Sequence, residues 1–321
     1  MNTFDTVIVI DWSAGNDTGP RPKADAIWAG VVRGGSEEEP RYFRNRPQVE
    51  TWLSDVLETE IAAGRRVLVG FDFAFGLPTG TARTITGSED PLALWDWLAD
   101  ALDDAPDGNN RFELAARMNA QFPGDGPFWF NGTKTPIDGL PHRKGERSDH
   151  YETEPTRATE VLAPGAFPVW QLGGAGAVGS QAITGMAALS RLRRKLAGAA
   201  AVWPFQAPDA AVVLAEVFPS LLRDQVRAAM DAEPDAIKDA VQVRLLARAL
   251  AGLSSEGGID AAFSAANAPA DEGWILGVGV EDALRDAARP ALSPPRLKDD
   301  CFALPPGVNW IPVDQALSQL K

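Results

Sequence analysis

Two aspartates and a glutamate each close a short apolar run. Asp11 ends Val7-Ile8-Val9-Ile10, Asp72 ends Val67-Leu68-Val69-Gly70-Phe71, and Glu216 ends Val212-Val213-Leu214-Ala215. A carboxylate is costly to bury without a partner. Acids at the ends of three β-type runs therefore call for a cation or a hydrogen-bond network, and ligands of open α/β sheets gather at the carboxyl ends of strands. A fourth acid joins them through helical geometry. At ~100° per residue Asp239 shares a face with Val243, Leu246 and Leu250, while Arg244 and Arg248 point away. Asp235, one turn earlier, is accounted for by the helix dipole alone. The plainer alternative for each strand-end acid is a helix cap or a pairing with arginine.

The elements that must position these groups alternate along the chain, which is the pattern of an α/β protein. Residues 5–11 read as a strand, followed by a polar turn and a second strand at 26–32, together a hairpin. Arg41 to Arg44 adds a short third strand. Val49, Trp52, Leu53 and Val56 have helical spacing up to the stop at Gly64, and 66–72 is a further strand. Leu92, Trp95, Leu98 and Leu102 mark the next helix. A helix at 182–197, strands near 200–203 and 211–216, helices near 219–230 and 234–252, and a last short strand at Trp274-Ile275-Leu276 complete the reading. Residues 104 to about 180 are rich in Gly, Pro, Asn and Asp and too long for a plain loop. They read as an insertion or lid whose aromatics, Phe122, Phe128, Trp129 and Phe130, anchor it to the core or line a site.

Composition narrows the functional classes. With 321 residues and 45% hydrophobic content the chain can bury a sizeable core, and it reads as one domain over 1–321. No run of ~20 apolar residues and no secretory signal is visible, so the cytosol is the expected compartment. Cys301 is the sole cysteine, which leaves no internal disulfide and no multi-cysteine zinc site. A net charge of −14 argues against a general nucleic-acid coat protein, since phosphate binding draws on a basic surface. Local basic patches remain at His142-Arg143-Lys144 with Arg147 and at Arg191, Arg193, Arg194 and Lys195, each equally read as a solvated surface.

Five segments recur in a recognisable order: Val9-Ile10-Asp11-Trp12-Ser13, Gly70-Phe71-Asp72 running to Gly76-Leu77-Pro78, Trp203-Pro204-Phe205, Glu216-Val217-Phe218-Pro219-Ser220, and Lys238-Asp239-Ala240. The set resembles a family of uncharacterised bacterial proteins predicted to be nucleases of the RNase H-like superfamily. That resemblance implies a mixed five-stranded sheet opened by an antiparallel three-strand meander and flanked by helices. It also implies that Asp11, Asp72 and Asp239 fall at metal-binding positions, with Glu216 a further candidate. Mg²⁺ or Mn²⁺ prefers such oxygen donors. The implied chemistry is two-metal hydrolysis of a phosphodiester, with Asp11 bridging the ions, Asp72 and Asp239 each holding one, and Glu216 binding directly or through water. The substrate class is a nucleic acid or nucleotide.

Other readings compete. A phosphotransferase or ATPase of the actin and sugar-kinase branch shares strand-end acids, and Ser13-Ala14-Gly15-Asn16 is compatible with its phosphate loop. A non-catalytic interaction protein retaining the fold is the third. Gly174-Ala175-Gly176-Ala177-Val178-Gly179 fits G-x-G-x-x-G, yet Pro164 and Pro168 crowd the lead-in and no acid occurs from Val161 to Pro208 to hold a ribose. The same glycines suit a hinge, or a phosphate cradle of bare N–H groups. His142 and His150, the only histidines, lie on a polar stretch and read as surface residues more readily than as a zinc pair. Trp95, Trp97, Trp129 and Trp203 read as core residues before base-stacking platforms.

Overall fold

Apolar residues in unbroken series make strands that are buried on both faces. Ile8, Val9 and Ile10 are each 0% exposed, and full burial of such a side chain stabilises by about 1.5–3 kcal/mol. The computed structural model describes residues 3–146, 153–174, 176–265 and 268–289. Met1–Arg289 forms one compact unit, and Pro290–Lys321 lies beyond the described residues.

The strands in chain order are β1 (Thr6–Asp11), β2 (Ile27–Arg33), β3 (Ser36–Glu37), β4 (Arg41–Phe43), β5 (Val67–Phe71), the small hairpin β6 (Asp104–Ala105) and β7 (Gly108–Asn109), β8 (Ala200–Trp203) and β9 (Val212–Glu216). The helices are α1 (Arg46–Ala62), α2 (Thr81–Thr86), α3 (Leu92–Ala101), α4 (Arg111–Asn119), α5 (Ala158–Leu162), α6 (Gly179–Lys195), α7 (Arg223–Ala232), α8 (Lys238–Ser255), α9 (Ile259–Ala262) and α10 (Glu281–Ala287). One mixed sheet runs β3-β2-β1-β5-β9-β8, with β4 also on β2. β1 and β2 are antiparallel, and β1, β5, β9 and β8 are parallel.

The antiparallel opening and parallel continuation agree with expectation, but the count does not. The sheet has seven strands in place of five. The third meander strand is interrupted, its two halves β3 and β4 pairing with opposite ends of β2, and β8 adds a parallel edge outside β9. The expected last strand contributes a single bridge, Ile275 beside Glu216.

Alternation along each strand divides the core. Ile8, Ile10, Val69 and Phe71 face the layer of α1, α3, α4 and α6, while Val7, Val9, Leu68 and Val213 face α7, α8 and α10. Ala158, Ala163 and Ala166 of the long segment after residue 104 pack on the second layer, while most of that segment packs on the first. Phe112, Phe122, Phe128 and Trp170 are buried there, so these aromatics anchor the segment. Trp95 and Trp203 are core residues too. Among the described residues no helix is long and apolar enough to cross a membrane.

Candidate functional site

Parallel pairing in register brings the strand-end acids to one edge. Ile10 lies opposite Phe71, so Asp11 and Asp72 follow at the same level, while Glu216 lies opposite Phe71, one position earlier. The Trp12 N–H donates to Asp72 Oδ1 at 2.7 Å, which fixes that carboxyl relative to β1. Trp12 is itself held, its indole N–H donating to Thr184 Oγ1 on α6 at 3.1 Å and its ring packing against Phe71 and Phe73.

Asp239 arrives from the opposite layer. Val243, Leu246 and Leu250 are 0–1% exposed, as the helical wheel requires, and Asp239 is half-buried at the head of that stripe. The close approach of α8 depends on Gly30 of β2, where an added Cβ would stand 2.5 Å from the Val243 carbonyl. Asp239 Oδ2 accepts from the Asp25 N–H at 2.8 Å.

Asp11, Asp72 and Asp239 share an electrostatic environment. Burial, then the charges of Asp72 and Asp239, push Asp11 well above the usual carboxylate range. Burial raises Asp72 to about 7, against the N–H of Trp12 and a hydrogen bond from Asp11. Burial raises Asp239, against the Asp25 N–H, while the Asp25 charge adds to the rise. The hydrogen bond between the first two carboxyls raises Asp11 and lowers Asp72. Although these acids sense one another, no three His, Cys, Asp or Glu side chains among the described residues are grouped as a ready-made metal shell.

Glu216 is used differently from the other three. It is 3% exposed and takes a two-pronged pairing from Arg157, Nη1 to Oε2 at 2.7 Å and Nη2 to Oε1 at 2.6 Å, plus the Phe75 N–H at 2.9 Å. Arg157 also donates to Glu160 Oε1 and to the Glu272 carbonyl. Burial would lower the Arg157 pKa, but Glu216 and Glu160 outweigh it and hold it raised; burial in turn raises Glu160. Glu272 accepts from the N–H groups of Thr79 and Ala158. Arg157 thus ties β9, α5 and the loop before Ile275 together. The pattern calls for an arginine at Glu216, but no periodicity marks Arg157, which lies in an irregular stretch.

A cavity of about 200 Å³ opens at this sheet edge, lined by Asp11, Asp72, Glu216 and Arg157 among others. Gly76 of the Gly-Leu-Pro motif shapes its surroundings, since a Cβ there would meet the Glu272 carbonyl at 2.5 Å.

The remaining candidates resolve separately. The carbonyls of Ser13 and Gly15 accept from buried Arg46, which also pairs with Asp104 at 2.6 Å, so this loop is braced from below. In the glycine-rich loop the Gly179 N–H is spent on the Gln171 carbonyl, and Gly173 and Gly176 make room for the rings of Phe130 and Phe167. Arg191, Arg194 and Lys195 pair with Glu50, Asp100 and Glu58, which neutralises that basic run. His142 Nδ1 bonds the Asn131 carbonyl. His150, Arg147, Ala175 and Cys301 lie outside the described residues. Comparison of the chain with protein-family models, curated proteins and solved structures returns no match.

Proposed function

We propose that the protein is a divalent-metal-dependent phosphodiester hydrolase on an RNase H-like scaffold, with Asp11, Asp72 and Asp239 as its metal-holding carboxylates. The observation that carries this reading is the charge of the cleft. Among the described residues Asp11, Asp72, Glu160 and Glu216 line it against a single cation, Arg157, each of whose three nitrogens already donates to another group. A phosphodiester anion is repelled by such a site unless a cation accompanies it. The donor set fits Mg²⁺ or Mn²⁺, because Mg²⁺ is commonly held by one or two carboxylates plus substrate phosphates and water, not by a full protein cage. When bound, the metal would activate water and neutralise charge on the scissile group.

The chain's own residues do the rest. The Trp12 N–H holds the Asp72 carboxyl in place, and a bound cation would compete with the protons that burial favours on Asp11 and Asp72. Asp239, at the start of α8, acts on Asp11 and Asp72 through its charge and would complete the donor set. Glu216 anchors Arg157 and so keeps the cleft wall in place; its expected role as a ligand gives way to this positioning one. The meander-then-parallel strand order supports the RNase H-like part of the proposal. Calorimetric titration with Mg²⁺ and Mn²⁺ of the wild type, Asp11→Asn and Asp72→Asn tests the reading. Binding lost in both variants, with hydrolysis of a phosphodiester lost in parallel, is expected; absence of metal binding to the wild type refutes it.

A further inference from the structure

We infer that the substrate is a short nucleotide phosphodiester, one nucleobase of which stacks on Phe167 and is contacted at its edge by Gln181 and Gln242. This rests on the hydrolase reading and adds its substrate class. Phe167 lines the acidic cleft yet is 52% exposed, whereas Trp12 and Phe73 in the same lining are 3% and 2% exposed. An apolar ring left in water at a site mouth is suited to a flat partner. The ring is also held in place: Gly176, at φ +75°, lies so close that a Cβ would sit 2.7 Å from it.

Gln181 in the first turn of α6 and Gln242, one turn beyond Asp239 on α8, also line the cleft. Neither side-chain amide makes a hydrogen bond to a described residue. Each amide offers both donors and an acceptor, the set that reads the edge of an unpaired base. Charge and size exclude a long duplex. Among the described residues the cleft offers no free cation to follow a phosphate backbone. Its volume of about 200 Å³ falls below the ~300–1,000 Å³ of sites for drug-sized ligands, which suits a small ligand.

The test compares wild type, Phe167→Ala and Phe167→Trp on the dinucleotide thymidylyl-thymidine and on the same diester lacking both bases, with saturating Mg²⁺. Base stacking of ordinary strength predicts that Phe167→Ala loses roughly 5- to 100-fold in kcat/KM on the base-bearing diester, mainly through KM. Phe167→Trp restores it, and the base-free diester is indifferent to all three. Equal loss on both diesters, or none on the base-bearing one, overturns the inference while leaving the hydrolase reading intact. If the wild type cleaves neither diester the hydrolase reading fails. Calorimetric binding of thymidine 5′-monophosphate with Mg²⁺ then decides the inference alone: weakening by Phe167→Ala sustains it, and unchanged or absent binding overturns it.

Discussion

Replacing Asp72 by asparagine should make the metal-free protein more stable at neutral pH and indifferent to metal. Asp72 is raised from 3.8 to about 7, so the folded protein binds its proton more tightly than the unfolded chain does. Stability from this proton is complete below the unfolded value and is lost as pH climbs towards 7. At about 1.4 kcal/mol per pKa unit the loss is at most ~4 kcal/mol. Partial exposure at the cleft and the hydrogen bond from Asp11 reduce it to about 2 kcal/mol. The asparagine side chain keeps an oxygen for the Trp12 N–H and carries no charge. By scanning calorimetry without metal, Asp72→Asn should melt about 4–8 °C above wild type at pH 8 and level with it at pH 4. At 100 times its Kd, Mg²⁺ should stabilise the wild type by ~2.7 kcal/mol and the variant not at all. A variant that melts lower at pH 8 without metal would show that the carboxylate is a structural acceptor, and the repulsion argument would fall.

Glu216→Gln leaves Arg157 buried without its main counter-charge and should cost about 3–5 kcal/mol in urea unfolding, because a broken buried pair strands a charge. Its Mg²⁺ affinity should stay within a few-fold of wild type; loss of metal binding with unchanged stability would return Glu216 to the ligand set. Gly30→Ala should displace α8, lowering stability by about 1–3 kcal/mol and weakening metal binding through Asp239. Thermal melts paired with Mg²⁺ titration check this, and an unaltered pair of values contradicts it.

Much of this was legible because it depends on local pattern. The apolar runs ending in Asp11, Asp72 and Glu216 announced the strands, and parallel register carries the ends of β1 and β5 to one level, with Glu216 one position short of Asp72. The stripe of Val243, Leu246 and Leu250 likewise turned Asp239 inward. The fate of Glu216 was not legible. Arg157 lies 59 positions away in an irregular segment, and only tertiary closure brings the two together. Nor was the split of the third strand: β3 and β4 are too short for periodicity to register. The extra edge strand was read as a segment, but its place outside β9 is a matter of topology that spacing along the chain does not encode.

The bonds that finish the site all span long stretches of chain. Asp239 reaches Asp25 across 214 positions, and Arg157 reaches the Glu272 carbonyl across 115. During synthesis β1 and β5 leave the ribosome long before α8, so a growing chain carries Asp11 and Asp72 without the helix that completes them. The cleft wall waits longer still, until Glu272 has emerged to meet Arg157 and Thr79. Under the hydrolase proposal, activity would therefore be withheld from every unfinished copy of the protein.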